Sequence, residues 1–160
     1  MASPVRQDFQ ILRTQARAWL EMLATKNYPD SLAAVRIGNV DERLNLPACP
    51  EPSFFLSPGG KPWGNGSVGA RCDGAIKWSI YLTFESRLRG PALVATHPLP
   101  ARSIPGPGDL ELRLIDYQHD PDLYPREYPA GASLLRPLAA GQPLLLNGIN
   151  QPDVIRAGQK

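Results

Sequence analysis

The residues best suited to chemistry are Cys49 and Cys72, the two cysteines of the chain. They lie in the stretch RLNLPACPEPSFFLSPGGKPWGNGSVGARC at 43–72, which is dense in proline and glycine. Proline lacks a backbone donor and glycine loses the most entropy on folding, so such a stretch makes few hydrogen bonds of its own. A covalent tie would hold it. Closing a loop of roughly two dozen residues stabilises a fold by about 3 to 4 kcal/mol in the chain-entropy account. The pair therefore points to a disulfide and an oxidising compartment, with two buried free thiols as the plainer alternative. A zinc site wants closely paired ligands, which these are not. A nucleophilic thiol wants a base, and His97 and His119 lie far from either cysteine in sequence.

Other chemistry has weaker support. The glycine-rich GGKPWGNG at 59–66 lacks the order of a phosphate-binding loop, and no helical pattern follows it. His119-Asp120-Pro121-Asp122 could offer metal ligands but reads more simply as an acidic turn. Serine, histidine and aspartate occur without a GxSxG elbow. Asn65-Gly66-Ser67 is formally a glycosylation sequon and more plainly a hairpin turn. We expect no enzyme activity, no cofactor and no metal.

The elements that must hold these residues follow from composition. With 160 residues and 42% apolar content the chain can build a real core, and 18 prolines with 14 glycines favour short strands and turns over long helices. A net charge of +2 provides no field for nucleic acid. No apolar run nears the roughly 18 to 20 residues needed to span a bilayer, so a soluble chain is expected. No basic-then-apolar leader opens it, so any secretory leader is expected to have been removed, with Met1 an added start.

Ser3-Pro4 reads as a cap, and Phe9, Leu12, Ala16, Trp19, Leu20 and Leu23 recur at helical spacing. This predicts an amphipathic helix over about 6–26, with Arg13, Arg17 and Glu21 on its wet face. Leu32, Val35 and Ile37 predict a strand, and Asn65-Gly66 a hairpin turn before a strand ending at Cys72. Ile76, Trp78, Ile80, Leu82 and Phe84 alternate with polar residues as the clearest strand. Gly90-Pro91 is expected to break it and to mark a domain boundary, with a hinge near 88–92. Beyond it, 98–111 and 137–150 align at an offset of 39 positions: Pro98 with Pro137, Leu99 with Leu138, Ala101 with Ala140, and Leu110 with Ile149. Each copy reads as strand end, tight turn and apolar anchor, the plan of a small domain with approximate two-fold symmetry.

RLNLPAC at 43–49, WGNGSVGARC at 63–72, Trp78 and Tyr81, LVATHPLP at 93–100 and RPLAAGQPL at 136–144 together resemble the flagellar basal-body P-ring formation proteins, the FlgA family. The repeat resembles that family's SAF domain, a β-clip. The resemblance implies an α+β, mainly β protein: a helix and disulfide-linked β domain over 1–90, then a SAF-like β-clip over 91–153. The family continues after a VxRGQ-like junction into a C-terminal β domain, whereas this chain stops at VIRAGQK, so 154–160 is expected to be the start of a truncated domain. By resemblance, the function is that of a periplasmic chaperone that binds the P-ring subunit and assists its polymerisation, without cofactor, nucleic acid or membrane.

The competing class is a SAF-type binding module for a small polar ligand such as a sugar, for which Tyr117, Tyr124 and Tyr128 are the aromatic candidates. For the chaperone, Trp63, Tyr124 and Tyr128 are the expected partner-binding anchors, by their glycine-rich or polar context. If Cys49 and Cys72 pair, protein made under oxidising conditions should show no alkylatable thiol by mass analysis. Reduction should then lower Tm by several degrees.

Overall fold

The computed structural model describes residues 5–151; the Ser3-Pro4 cap and the 154–160 stretch lie outside them. The protein is α+β and mainly β, and it divides into two compact units, Met1–Leu88 and Arg89–Lys160.

In the first unit, helix α1 spans Phe9–Asn27. It begins later than the expected start at about residue 6, because the Asp8 carboxylate accepts from the Gln10 and Ile11 N–H groups and so caps the first turn. Just before the cap, Arg6 forms an antiparallel bridge with Pro47. Leu12, Ala16, Leu20 and Ala24 are fully buried at four-residue spacing. Trp19 is half-buried against Phe54, 6.2 Å between ring centres. Strands β1 (Leu32–Ile37), β2 (Ser53–Leu56), β3 (Gly64–Cys72) and the first part of β4 (Trp78–Ala95) form a sheet in the order β1-β4-β3-β2. Its inner face supplies Val35, Ile37, Val68, Ala70, Leu82 and Phe84 to one core with the helix.

Four local expectations change. Leu32 is exposed, since a period of two that buries Val35 and Ile37 turns residue 32 outward. Ile76 is exposed because β4 starts only at Trp78. Asn65-Gly66 lies within β3, opposite Glu85 and Phe84, and the tight turn falls earlier, at Ser57–Gly60, closed by Gly60 N–H to the Ser57 carbonyl at 2.7 Å. Gly90-Pro91 does not break β4. The Thr96 N–H donates to the Asp109 carbonyl, which makes 94/111, 92/113 and 90/115 the bonded pairs with β5 (Leu110–Asp116). Pro91, opposite Leu114, therefore aims its donorless nitrogen away from β5.

In the second unit the two repeat copies meet each other. Leu99 and Leu138 exchange both backbone bonds, at 2.8 and 2.9 Å. Around them the bonds recur in equivalent sets: Ala95 N–H to the Gln142 carbonyl matches Leu134 N–H to Ser103, and Gly141 N–H to Ala95 matches Arg102 N–H to Leu134. Likewise Ala95 faces Leu110 as Leu134 faces Ile149, in the ladder of β6 (Ser133–Leu134) with β7 (Ile149–Asn150). Leu99, Leu138, Ile149 and Leu144 are buried in this unit's core, with Leu110 packed on it. The turn position also repeats: Arg102 has φ 69° and its equivalent Gly141 has φ 83°. The first copy's turn is further held by His97, whose Nε2 lies 2.8 Å from the Asp109 carboxylate. That carboxylate also accepts from the Gly106 N–H at 2.8 Å. The hydrogen bond His97 makes to the Asp109 carboxylate raises the His97 pKa, and the Gly106 N–H and then His97 hold the Asp109 carboxyl below its usual range.

Gly141→Ala should cost about 1 to 2 kcal/mol in urea unfolding, since only the left-handed backbone resists the added carbon, whereas Arg102→Gly should be neutral or gain up to about 1 kcal/mol. The His97–Asp109 clamp carries a pH signature. The raised imidazole pKa adds stability that is complete below the unfolded histidine value and is lost as pH rises through the folded one. The lowered carboxyl pKa adds stability present above the unfolded aspartate value and lost as pH falls through the folded one. The stability difference between wild type and His97→Ala, followed by urea midpoint against pH, should therefore peak between the two ranges.

Candidate functional site

Cys49 and Cys72 form a disulfide with Cα atoms 5.8 Å apart, both buried in the first unit's core. It fixes a segment that has little ladder of its own. The Cys49 N–H donates to the Gln7 side-chain carbonyl at 2.8 Å, and the Trp78 indole N–H donates to the Pro47 carbonyl at 2.9 Å. Arg6 adds bonds to the Glu42 and Leu44 carbonyls. A buried disulfide of this kind fits an oxidising compartment.

The three expected anchors are placed differently from one another. Tyr124 is buried, only 5% exposed, because the loop over 116–129 is wrapped around it. Its hydroxyl accepts from the Gln118 and His119 N–H groups, and its ring stacks on Tyr117 at 4.7 Å. Tyr124 is thus a support of its own loop, and its context misled because polar neighbours in sequence do not expose a ring whose hydroxyl is satisfied inside. Tyr117 donates to the Pro91 carbonyl, and burial, then the neighbouring Tyr124, raises its pKa. With their faces against each other, these two rings offer no free pair for stacking a sugar. Asp120 accepts from the Asp122 N–H and caps the short 3-10 helix Pro121–Leu123, which is the turn role expected of that acidic run.

Tyr128 is half-buried, donates to the Ala132 carbonyl and packs on the second unit's core, and burial raises its pKa. One side of it lines an open groove of about 460 Å³ with Leu93, Leu110, Pro107 and Arg126. Trp63 is half-buried in a bend before β3, with its indole N–H buried and without a partner. An unpaired indole N–H is costly, so this side chain is the less settled of the two.

An exposed aromatic row escaped the sequence reading. On the outer face of the first unit's sheet, Phe55, Gly69 and Tyr81 stand in register across β2, β3 and β4. Phe55 covers Gly69, where any Cβ would run into the ring, and meets Tyr81 edge-on at 5.8 Å. The Arg71 guanidinium lies 5.6 Å over Phe55. Tyr81 remains 60% exposed. The available signal was a large aromatic at a wet position of an alternating strand.

The FlgA N-terminal domain family matches residues 12–85. Among curated proteins, the Yersinia enterocolitica flagella basal body P-ring formation protein FlgA is 29% identical over 136 residues, which cover 84% of this chain and 59% of that protein. The Salmonella typhimurium FlgA is 29% identical over 117 residues, covering 72% of this chain and 52% of that protein. The chain thus spans between about half and three fifths of the length of these relatives. Among solved structures, Salmonella FlgA in closed form superposes with a TM-score of 0.65 at 25% identity, over 89% of this chain and 69% of that one. By sequence and by fold, this chain is similar to the FlgA P-ring formation proteins, and its residues 12–85 match the FlgA N-terminal domain.

Proposed function

We propose that the protein acts in P-ring formation as a periplasmic chaperone, holding the P-ring subunit reversibly until it is incorporated, and that it catalyses no reaction. The observation that carries this reading is the FlgA N-terminal domain over 12–85 in a chain whose curated relatives are P-ring formation proteins. The buried Cys49–Cys72 bond supports the periplasm. The reciprocal pairing of the two repeat copies supports a SAF-like β-clip over about 91–153, following an N-terminal domain over about 1–90.

A client that must be released calls for a modest interface built on a few aromatic anchors. Tyr81 in the first unit and Tyr128 in the second keep exposed surface, and Trp63 is the third anchor of this reading; Tyr124 is not one. Swimming motility and co-purification with the P-ring subunit test it, in cells whose own copy of the gene has been deleted. Tyr81→Ala with Tyr128→Ala should cut both while circular dichroism stays unchanged. Normal motility and capture would remove this surface, and a wild-type protein that never captured the subunit would remove the chaperone reading.

A further inference from the structure

Among the described residues, four exposed arginines are paired with a carboxylate two positions away: Arg43 with Asp41, Arg71 with Asp73, Arg87 with Glu85 and Arg113 with Glu111. Arg17 and Arg36 are not. The residues two positions away are Gln15 and Trp19 for one, Ala34 and Gly38 for the other. Neither has an ion pair or a side-chain hydrogen bond among the described residues. Both line the same small cleft between α1 and β1, of about 130 Å³, with Val35 and Ile37 as its apolar part.

The third guanidinium in that cleft, Arg13, was expected on the wet face of the helix, yet it is half-buried and fixed. Its Nε and Nη2 donate to the Gly38 and Ile37 carbonyls at 3.0 and 2.8 Å, and its Nη1 to the Gln10 side-chain carbonyl at 3.2 Å. Arg13 therefore has three of its five N–H donors engaged and contributes mainly charge. It also holds the carbonyl end of the Gln10 amide, which leaves the amide NH2 group as a donor. Gln10, Arg13 and Arg17 lie on one stripe of the helix, by their spacing of three and four. No carboxylate lines the cleft.

Glu21, four positions along the helix from Arg17, makes no ion pair with it among the described residues. Three like charges around a cleft with no lining carboxylate repel one another, and an anion between them converts that cost into attraction. We propose that this cleft binds a single oxyanion, a carboxylate or phosphate group, gripped by the free forks of Arg17 and Arg36 with Arg13 supplying further positive charge. Planar guanidinium forks match the paired oxygens of either group, and the volume suits one such group rather than a whole metabolite. The anion is either a small phosphate-bearing molecule or an acidic side chain of a bound polypeptide.

The test follows the arginine Nε–H and backbone amide signals of the whole chain by NMR. Sodium phosphate and a hexaglutamate peptide are titrated separately, at ionic strength held constant with chloride. Saturable shifts at Arg17 and Arg36 are expected, weakened at least about ten-fold in R17Q/R36Q and unchanged in R87Q, whose arginine is already paired. Saturation by hexaglutamate alone identifies a polypeptide carboxylate as the source, and saturation by phosphate alone a small phosphate. No saturable shift with either probe overturns the proposal, as does unchanged affinity in R17Q/R36Q. Should that variant lose its folded amide spectrum, R17K and R36K keep the charge but lose the fork. A several-fold loss of affinity is then expected, and none would overturn the site.

Discussion

The bond between Cys49 and Cys72 supplies an order that the surrounding chain lacks. Residues 38–52 form no strand or helix of their own, and their few carbonyls and N–H groups are satisfied piecemeal by Arg6, Gln7 and Trp78. Each of those bonds is worth about 1 kcal/mol net, too little to hold a proline-rich segment against its entropy. The disulfide joins the segment to the last residue of β3, opposite Trp78 at the start of β4, and so places Pro47 where the indole N–H can reach it. The helix N-terminus is drawn in as well, because Gln7 answers Cys49 one residue before the Asp8 cap.

The second unit solves the shortage of regular structure differently. Two copies of one short pattern give each other the backbone partners that neither has alone, around the Leu99–Leu138 pair. Because the bonds repeat, the requirement at each turn repeats too. Glycine meets it at 141, while at 102 an arginine carries the strain of a left-handed backbone. The His97–Asp109 clamp reinforces that first turn, and its second-copy equivalents are Arg136 and Gly148, so one half of the symmetric plan has been given a titratable fastening that the other lacks.

Function on this scaffold rests on what the two cores leave outside. A small unit with a covered inner face still has an outer face. Here that outer face bears an aromatic row seated on Gly69, and the cleft between α1 and β1 is lined by arginines and by no carboxylate among the described residues. Both offer interactions of moderate strength, stacking and charge near solvent, of the kind the proposed reversible hold on a client calls for.

The sequence by itself determined the helix face, the alternation of β4, the cysteine pair and the offset of the repeat, because each is a periodicity or a count that local geometry must obey. It could not determine where the helix begins, since only the fold presents the Gln10 and Ile11 N–H groups to the Asp8 carboxylate. Nor could it pass Gly90-Pro91 as continuous strand, because whether a missing N–H matters depends on which neighbour it would have faced. The burial of Tyr124 and the exposure of Tyr81 were likewise decided by tertiary structure. One ring has a satisfied hydroxyl and a stacking partner inside its loop, while the other projects from the outer face of a sheet, meeting Phe55 edge-on. The gathering of Arg13, Arg17 and Arg36 belongs to the same class, for residues on a helix and on a strand acquire a common surroundings only when the helix docks.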